Sequence, residues 1–65
     1  MKYSIGDLII EITSEAKMIV LAANVYNIKF LMYLNQNQPI ELSWKRKEVD
    51  KLIEEKLWKH YPVIK

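Results

Sequence analysis

The chain has no cysteine, one glycine (Gly6), one histidine (His60) and two prolines. Without cysteine, neither a disulfide nor a thiolate metal site can staple the fold, so packing has to stabilise it. The same absence points to a reducing compartment, and the expected location is cytoplasmic. A single histidine leaves a protein zinc site dependent on several carboxylates that have no evident reason to converge. A single glycine excludes a glycine-rich phosphate cradle. Ser4, Ser14, Ser43 and Thr13 each fall at an expected turn or strand end, and none stands in a nucleophile elbow. Glu54 and Glu55 cannot face each other on a helix, and Asp50 with Glu54 at i, i+4 describes a solvated face. His60, between Lys59 and Tyr61, is expected at the surface. An enzyme is not expected, nor are a metal, a cofactor or a small-molecule substrate.

Long apolar runs are lacking as well. The charge-free stretch from Met18 to Ile28 is eleven residues long, against the roughly 20 needed to span a bilayer. The opening Met1-Lys2-Tyr3-Ser4-Ile5-Gly6-Asp7 has no apolar core before a small-residue cleavage site, so no signal peptide is expected. No membrane partner is expected either, because the apolar face of the C-terminal segment is narrow and its polar face half acidic.

What remains is ordinary globular material, 51% hydrophobic and 28% charged over 65 residues. That length predicts a single domain, residues 1–65. A chain this short buries only about 60% of the surface its unfolded form exposes, so each large apolar side chain matters. Net charge is +2, unevenly placed. Residues 1–44 carry three lysines against four acids, whereas residues 45–65 carry seven basic residues against four acids. The positive charge belongs to the tail.

Ile5-Gly6-Asp7 signals a turn into Leu8-Ile9-Ile10-Glu11-Ile12-Thr13, whose β-branched density favours a strand. Leu8, Ile10 and Ile12 share one face; Ile9, Glu11 and Thr13 share the other. After a break at Ser14-Glu15-Ala16, the run Lys17 to Ala23 is apolar on both faces. Strand is preferred there, with a short helix over residues 14–23 as the alternative. Asn24 and Asn27 mark a turn before a third run, Ile28 to Leu34. Asn35-Gln36-Asn37-Gln38-Pro39 reads as a loop, and Ile40-Glu41-Leu42-Ser43-Trp44 alternates as a fourth strand. The period then changes: Val49, Leu52, Ile53, Lys56 and Leu57 recur at helical spacing, predicting an amphipathic helix over 45–57 with Ser43 as its cap. Pro62 stops any helix, and residues 58–65 read as an extended terminal segment that packs back as an edge strand. The expected class is α+β, mainly β. It would be a small antiparallel meander or SH3-like barrel of four or five strands over residues 1–44 and the terminal segment, with one C-terminal helix as lid.

The stretch Tyr3-Ser4-Ile5-Gly6-Asp7-Leu8-Ile9-Ile10, followed by Lys17-Met18-Ile19-Val20, resembles a group of short bacterial and phage proteins. These open with an aromatic-x-hydrophobic-Gly-Asp-hydrophobic turn and look like small SH3-type barrels, some carried by phages or mobile elements. The resemblance covers residues 3–20, implies the fold and carries over no catalytic residue.

Two partner classes follow. Tyr26, Phe30, Met32, Tyr33 and Trp44, together with apolar strands on both faces, exceed what a barrel of this size conceals. The first expectation is therefore a non-catalytic protein-interaction module, either a homo-oligomer or an accessory protein docking on a larger partner. The alternative is a nucleic-acid-binding domain using Lys45, Arg46, Lys47, Lys51, Trp58 and Lys59, where basic groups neutralise phosphates and aromatics stack on bases. Glu48, Asp50, Glu54 and Glu55 in the same segment weigh against that alternative.

Overall fold

The computed structural model describes residues 2–33 and 38–63. Five antiparallel strands form one sheet, joined by a single helix: β1 (Leu8–Glu11), β2 (Lys17–Ala23), β3 (Asn27–Tyr33), β4 (Ile40–Lys45), α1 (Arg46–Glu54) and β5 (Trp58–Tyr61). The strand order is β4-β3-β2-β1-β5. The first four strands form a meander, and the chain then crosses through α1 to lay β5 along the free side of β1, Leu8 opposite Tyr61 and Glu11 opposite Trp58. The described residues are mainly β with one helix, as the periodicities predict. Residues 17–23 are strand, which removes the helical alternative. Leu34 and Asn35 to Asn37, expected as strand end and loop, lie outside the described residues.

The first turn and the β1–β2 connection have local causes. Ser4 to Asp7 form a turn closed by the Asp7 N–H donating to the Ser4 carbonyl at 3.0 Å. Gly6 sits there at φ +94°, and a Cβ on it would stand 3.3 Å from Val63 Cγ2. The glycine thus answers both a left-handed backbone and a close neighbour. β1 ends at Glu11, earlier than the apolar run implies, because Ile12 leaves the sheet and Glu15 takes φ +60°. The Glu15 N–H returns to the Glu11 carbonyl at 2.8 Å, and the Ser14 hydroxyl donates to the Glu11 carboxylate at 2.6 Å. In β2 the register slips between Val20 and Ala22, leaving Leu21 as a bulge opposite β3. Such a bulge bends the strand and coils the sheet.

Helix α1 is shorter than its sequence pattern. Its N-cap is Lys45, extended at φ −69° and ψ 132° with no side-chain cap, so Ser43 stays in β4 and caps nothing. At the other end Lys56 turns left-handed at φ +63°. Its N–H meets the Ile53 carbonyl, the Leu57 N–H meets the Leu52 carbonyl, and the chain leaves the helix before Leu57. This pair of bonds is the Schellman arrangement, with lysine where glycine is the usual choice.

The inward positions of the sheet supply Ile9, Met18, Val20, Ile28, Phe30 and Trp58, closed by Tyr3 and by Val49 of α1. Val49 is fully buried and contributes about 2 kcal/mol of apolar burial to holding the lid. Trp58 meets Phe30 edge-on at 6.1 Å and Trp44 at 5.2 Å. Because β4 and β5 are the two edges of the sheet, that indole pair ties one edge to the other.

Candidate functional site

The densest group of titratable side chains lies where the N-terminal turn, α1 and β5 meet. Asp7 is buried, and every oxygen of its carboxylate is used: Oδ1 accepts from the Val63 N–H at 2.9 Å, and Oδ2 accepts from the Ser4 N–H at 3.0 Å. His60 Nε2 stands 2.7 Å from the same Oδ2. His60 is therefore not a surface residue. Antiparallel pairing of β5 with β1 places it opposite the fully buried Ile9, on the inward side of the sheet. Its ring lies 5.1 Å from that of Tyr3, and the Tyr3 hydroxyl donates a short hydrogen bond to Asp50 of α1. Lys2 pairs with Asp50 at 3.5 Å, and the Arg46 guanidinium lies 5.8 Å from the Tyr3 ring centre.

The electrostatics follow from these contacts. Burial works against the Asp7 charge, but the Val63 and Ser4 N–H groups and His60 outweigh it and hold the carboxyl below its ordinary range. The Tyr3 hydroxyl, helped by Lys2 and Arg46 against burial, lowers Asp50 in the same sense. Burial first, and then Asp50, push the Tyr3 phenol well above the usual tyrosine range. The cluster spends its polar groups on one another and joins three segments far apart in sequence. Its chemistry is that of a clasp. Among the described residues no group of three or more His, Cys, Asp or Glu is placed to hold a metal ion, and no helix is long and apolar enough to cross a membrane.

The outward face of the sheet is a different surface. Cross-strand pairing aligns Tyr61, Leu8, Ile19 and Leu31 in one row that ends at Glu41. A parallel row runs Lys59, Ile10, Lys17, Tyr33. Leu8, Ile10, Ile19 and Leu31 are half-buried, while Tyr33 and Tyr61 are exposed. An open groove of about 650 Å³ lies on this face, lined by Ile10, Ser14, Glu15, Lys17 and Tyr33. Helix α1 packs against β4 and β5 and sends Val49 into the core. Among the described residues no second layer covers the outward rows.

The expected interface residues divide accordingly. Phe30 is fully buried and offers no surface, and Met32 and Trp44 are half-buried against the core. Tyr33 reaches the outward face, and Tyr26, 76% exposed, lies apart from it at the β2–β3 turn. The expected nucleic-acid residues divide too. Trp58 is only 4% exposed and its ring is engaged by Phe30 and Trp44, so it cannot stack on a base. Arg46 faces Tyr3. Lys51 is exposed along α1, and Lys59 lies on the outward face over the Tyr61 ring at 5.3 Å. Lys45 and Lys47 are brought together, lining one hollow with Val25, Tyr26 and Asn27.

Two features escape a reading of the chain alone. The Asp7–His60 pair spans 53 residues, and only the pairing of β5 with β1 makes it. The outward apolar row is hidden because Leu8 and Ile10 read as a core face until Ile9 is seen to be the buried residue. No known protein family, curated protein or solved structure matches this chain.

Proposed function

We propose that this protein is a non-catalytic protein-binding module that docks a larger partner on the outward face of its sheet. The uncovered row Tyr61-Leu8-Ile19-Leu31, running across four strands, carries this reading. A monomeric domain has no structural need for a row of large apolar groups on the side away from its core, and such a patch stabilises a complex by leaving water. Charge selects the partner. The outward strand positions hold Lys17, Lys29, Lys45 and Lys59 with Glu41 as the one acid, itself paired with Lys29 at 2.7 Å. Two copies packed face to face would oppose lysine to lysine, so the complementary partner is an apolar segment flanked by acidic residues. The buried clasp supports a non-catalytic role, since its hydrogen-bonding groups are turned on one another. The strand order, the bulge at Leu21 and the contact between the edge-strand indoles support regarding the sheet as a small SH3-like barrel.

Selection from a displayed random-peptide library tests the function. Wild-type protein should enrich peptides with apolar residues beside Asp and Glu, and Leu31→Lys should abolish that enrichment while the circular dichroism spectrum stays native. Replacing Lys17 and Lys59 by Glu should turn the selection toward basic peptides. Enrichment that survives Leu31→Lys, or no enrichment at all, overturns the proposal. Light scattering on the eluting peak separates the remaining case, because a dimer dissociated by Leu31→Lys would make a second copy the partner.

A further inference from the structure

The β2–β3 connection displays two large side chains at the tip of its turn. Asparagine, a residue tight reversals favour, stands at both flanks, Asn24 and Asn27, and the two central residues are Val25 and Tyr26, 65% and 76% exposed. The turn is firmly built. Asn24 Oδ1 accepts from the Tyr26 and Asn27 N–H groups, both at 2.8 Å. The Asn24 N–H donates to the Asn27 carbonyl at 2.9 Å, and the Arg46 N–H donates to the Tyr26 carbonyl at 2.8 Å. Tyr26 is thus an aromatic ring held in water on a backbone that four hydrogen bonds immobilise. A large side chain displayed on a rigid turn is placed as binding residues commonly are.

What surrounds the ring indicates its ligand. Lys45 and Lys47 line the same hollow of about 360 Å³, and neither is paired with an acid among the described residues. A flat ring beside two free ammonium groups complements a ligand that carries a flat ring beside anionic groups. An acidic peptide would satisfy the lysines and leave the Tyr26 face wet. Single-stranded nucleic acid satisfies both, because every base has a face to stack and every linkage a phosphate.

We propose that the Val25–Tyr26 turn, Lys45 and Lys47 form a second binding site, for single-stranded nucleic acid. Tyr26 stacks on one base and the two lysines hold the adjoining phosphates. This site contains no residue of the row Tyr61-Leu8-Ile19-Leu31 and shares only Lys45 with the outward lysines, and it replaces the buried Trp58 with an exposed tyrosine as the stacking group.

The probe is a fluorescein-labelled twelve-nucleotide oligothymidylate, its anisotropy followed at low salt and then along a salt series. Wild-type protein should bind it, with affinity falling as salt rises by about 0.7 in the logarithmic slope for each phosphate neutralised. Lys45→Asp with Lys47→Asp should weaken binding at least tenfold and flatten that slope. Tyr26→Ala should weaken it about tenfold at unchanged slope, and Tyr26→Phe should restore it, since stacking uses the ring and not the hydroxyl. Leu31→Lys, which disables the outward face, should leave oligonucleotide binding intact, so the two sites fail separately. All three side chains are exposed, and native circular dichroism of each variant confirms that its loss is not unfolding. No binding at low salt overturns the proposal. So does Tyr26→Ala binding as well as wild type, or polyglutamate competing as well as the unlabelled oligonucleotide.

Discussion

Asp7 and Tyr3 show how single residues set the conditions under which this domain folds. Asp7 and Asp50 both give up their protons more readily in the native state than in the unfolded chain. The stability they contribute is complete above the ordinary aspartate value of 3.8 and is lost as pH falls below it. Tyr3 acts in the opposite direction. The native state favours its neutral phenol, so its contribution is complete below the ordinary tyrosine value of 10.0 and is lost as pH rises beyond it. Urea midpoints measured across pH should therefore drop on both the acid and the alkaline side. Asp50→Asn should shrink both losses at once, because one hydrogen bond couples the two groups. Losses that do not change in this variant would show that the Tyr3–Asp50 contact stabilises nothing.

At the scale of elements, α1 works against its own termini. Its first turn begins with the basic residues Arg46 and Lys47 behind a lysine cap, where the helix dipole favours acids. That placement is consistent with lysines kept for binding at the Tyr26 hollow. Its C-terminal lysine at φ +63° is a conformation that costs a non-glycine residue about 1 kcal/mol or more. Lys56→Gly should therefore stabilise the domain by about 1 kcal/mol, seen as a rise in melting temperature of roughly 4–8 °C for a chain of this size.

At the scale of the molecule, so small a core leaves few side chains to hold the sheet in its curved form. Trp58 touches both Phe30 in mid-sheet and Trp44 on the opposite edge. Trp58→Ala should cost about 3–5 kcal/mol, comparable to the whole stability that a core of this size supplies. The variant should lack the cooperative thermal transition of the wild type in far-ultraviolet circular dichroism. Trp44→Phe, which keeps an aromatic ring against Trp58, should retain it. A cooperatively folded Trp58→Ala would mean that the clasp at Asp7 and the lid at Val49 suffice without the joined edges.

The sequence by itself determined the class of the fold and most of its elements. Met18-Ile19-Val20 and Ile28-Lys29-Phe30 become strands because β-branched and aromatic side chains pack well on a pleated surface. Val49, Leu52 and Ile53 form the inner stripe of a helix because their spacing follows its period. Such patterns are local and need only neighbours along the chain. Tertiary structure alone decided which elements of the pattern would be seen by water. It placed Ile9 rather than Leu8 and Ile10 inward, and it buried Trp58 and Phe30 while leaving Tyr26 exposed. It also joined His60 to Asp7 across the sheet. Cysteine is absent and glycine and histidine occur once each, and the fold gives each of the two a definite position. The single glycine makes the first turn, the single histidine closes the clasp, and packing stands where disulfides would otherwise be. The physical reason is that burial and pairing depend on strand register and crossover, which are set by the summed packing of the whole chain and not by any one segment.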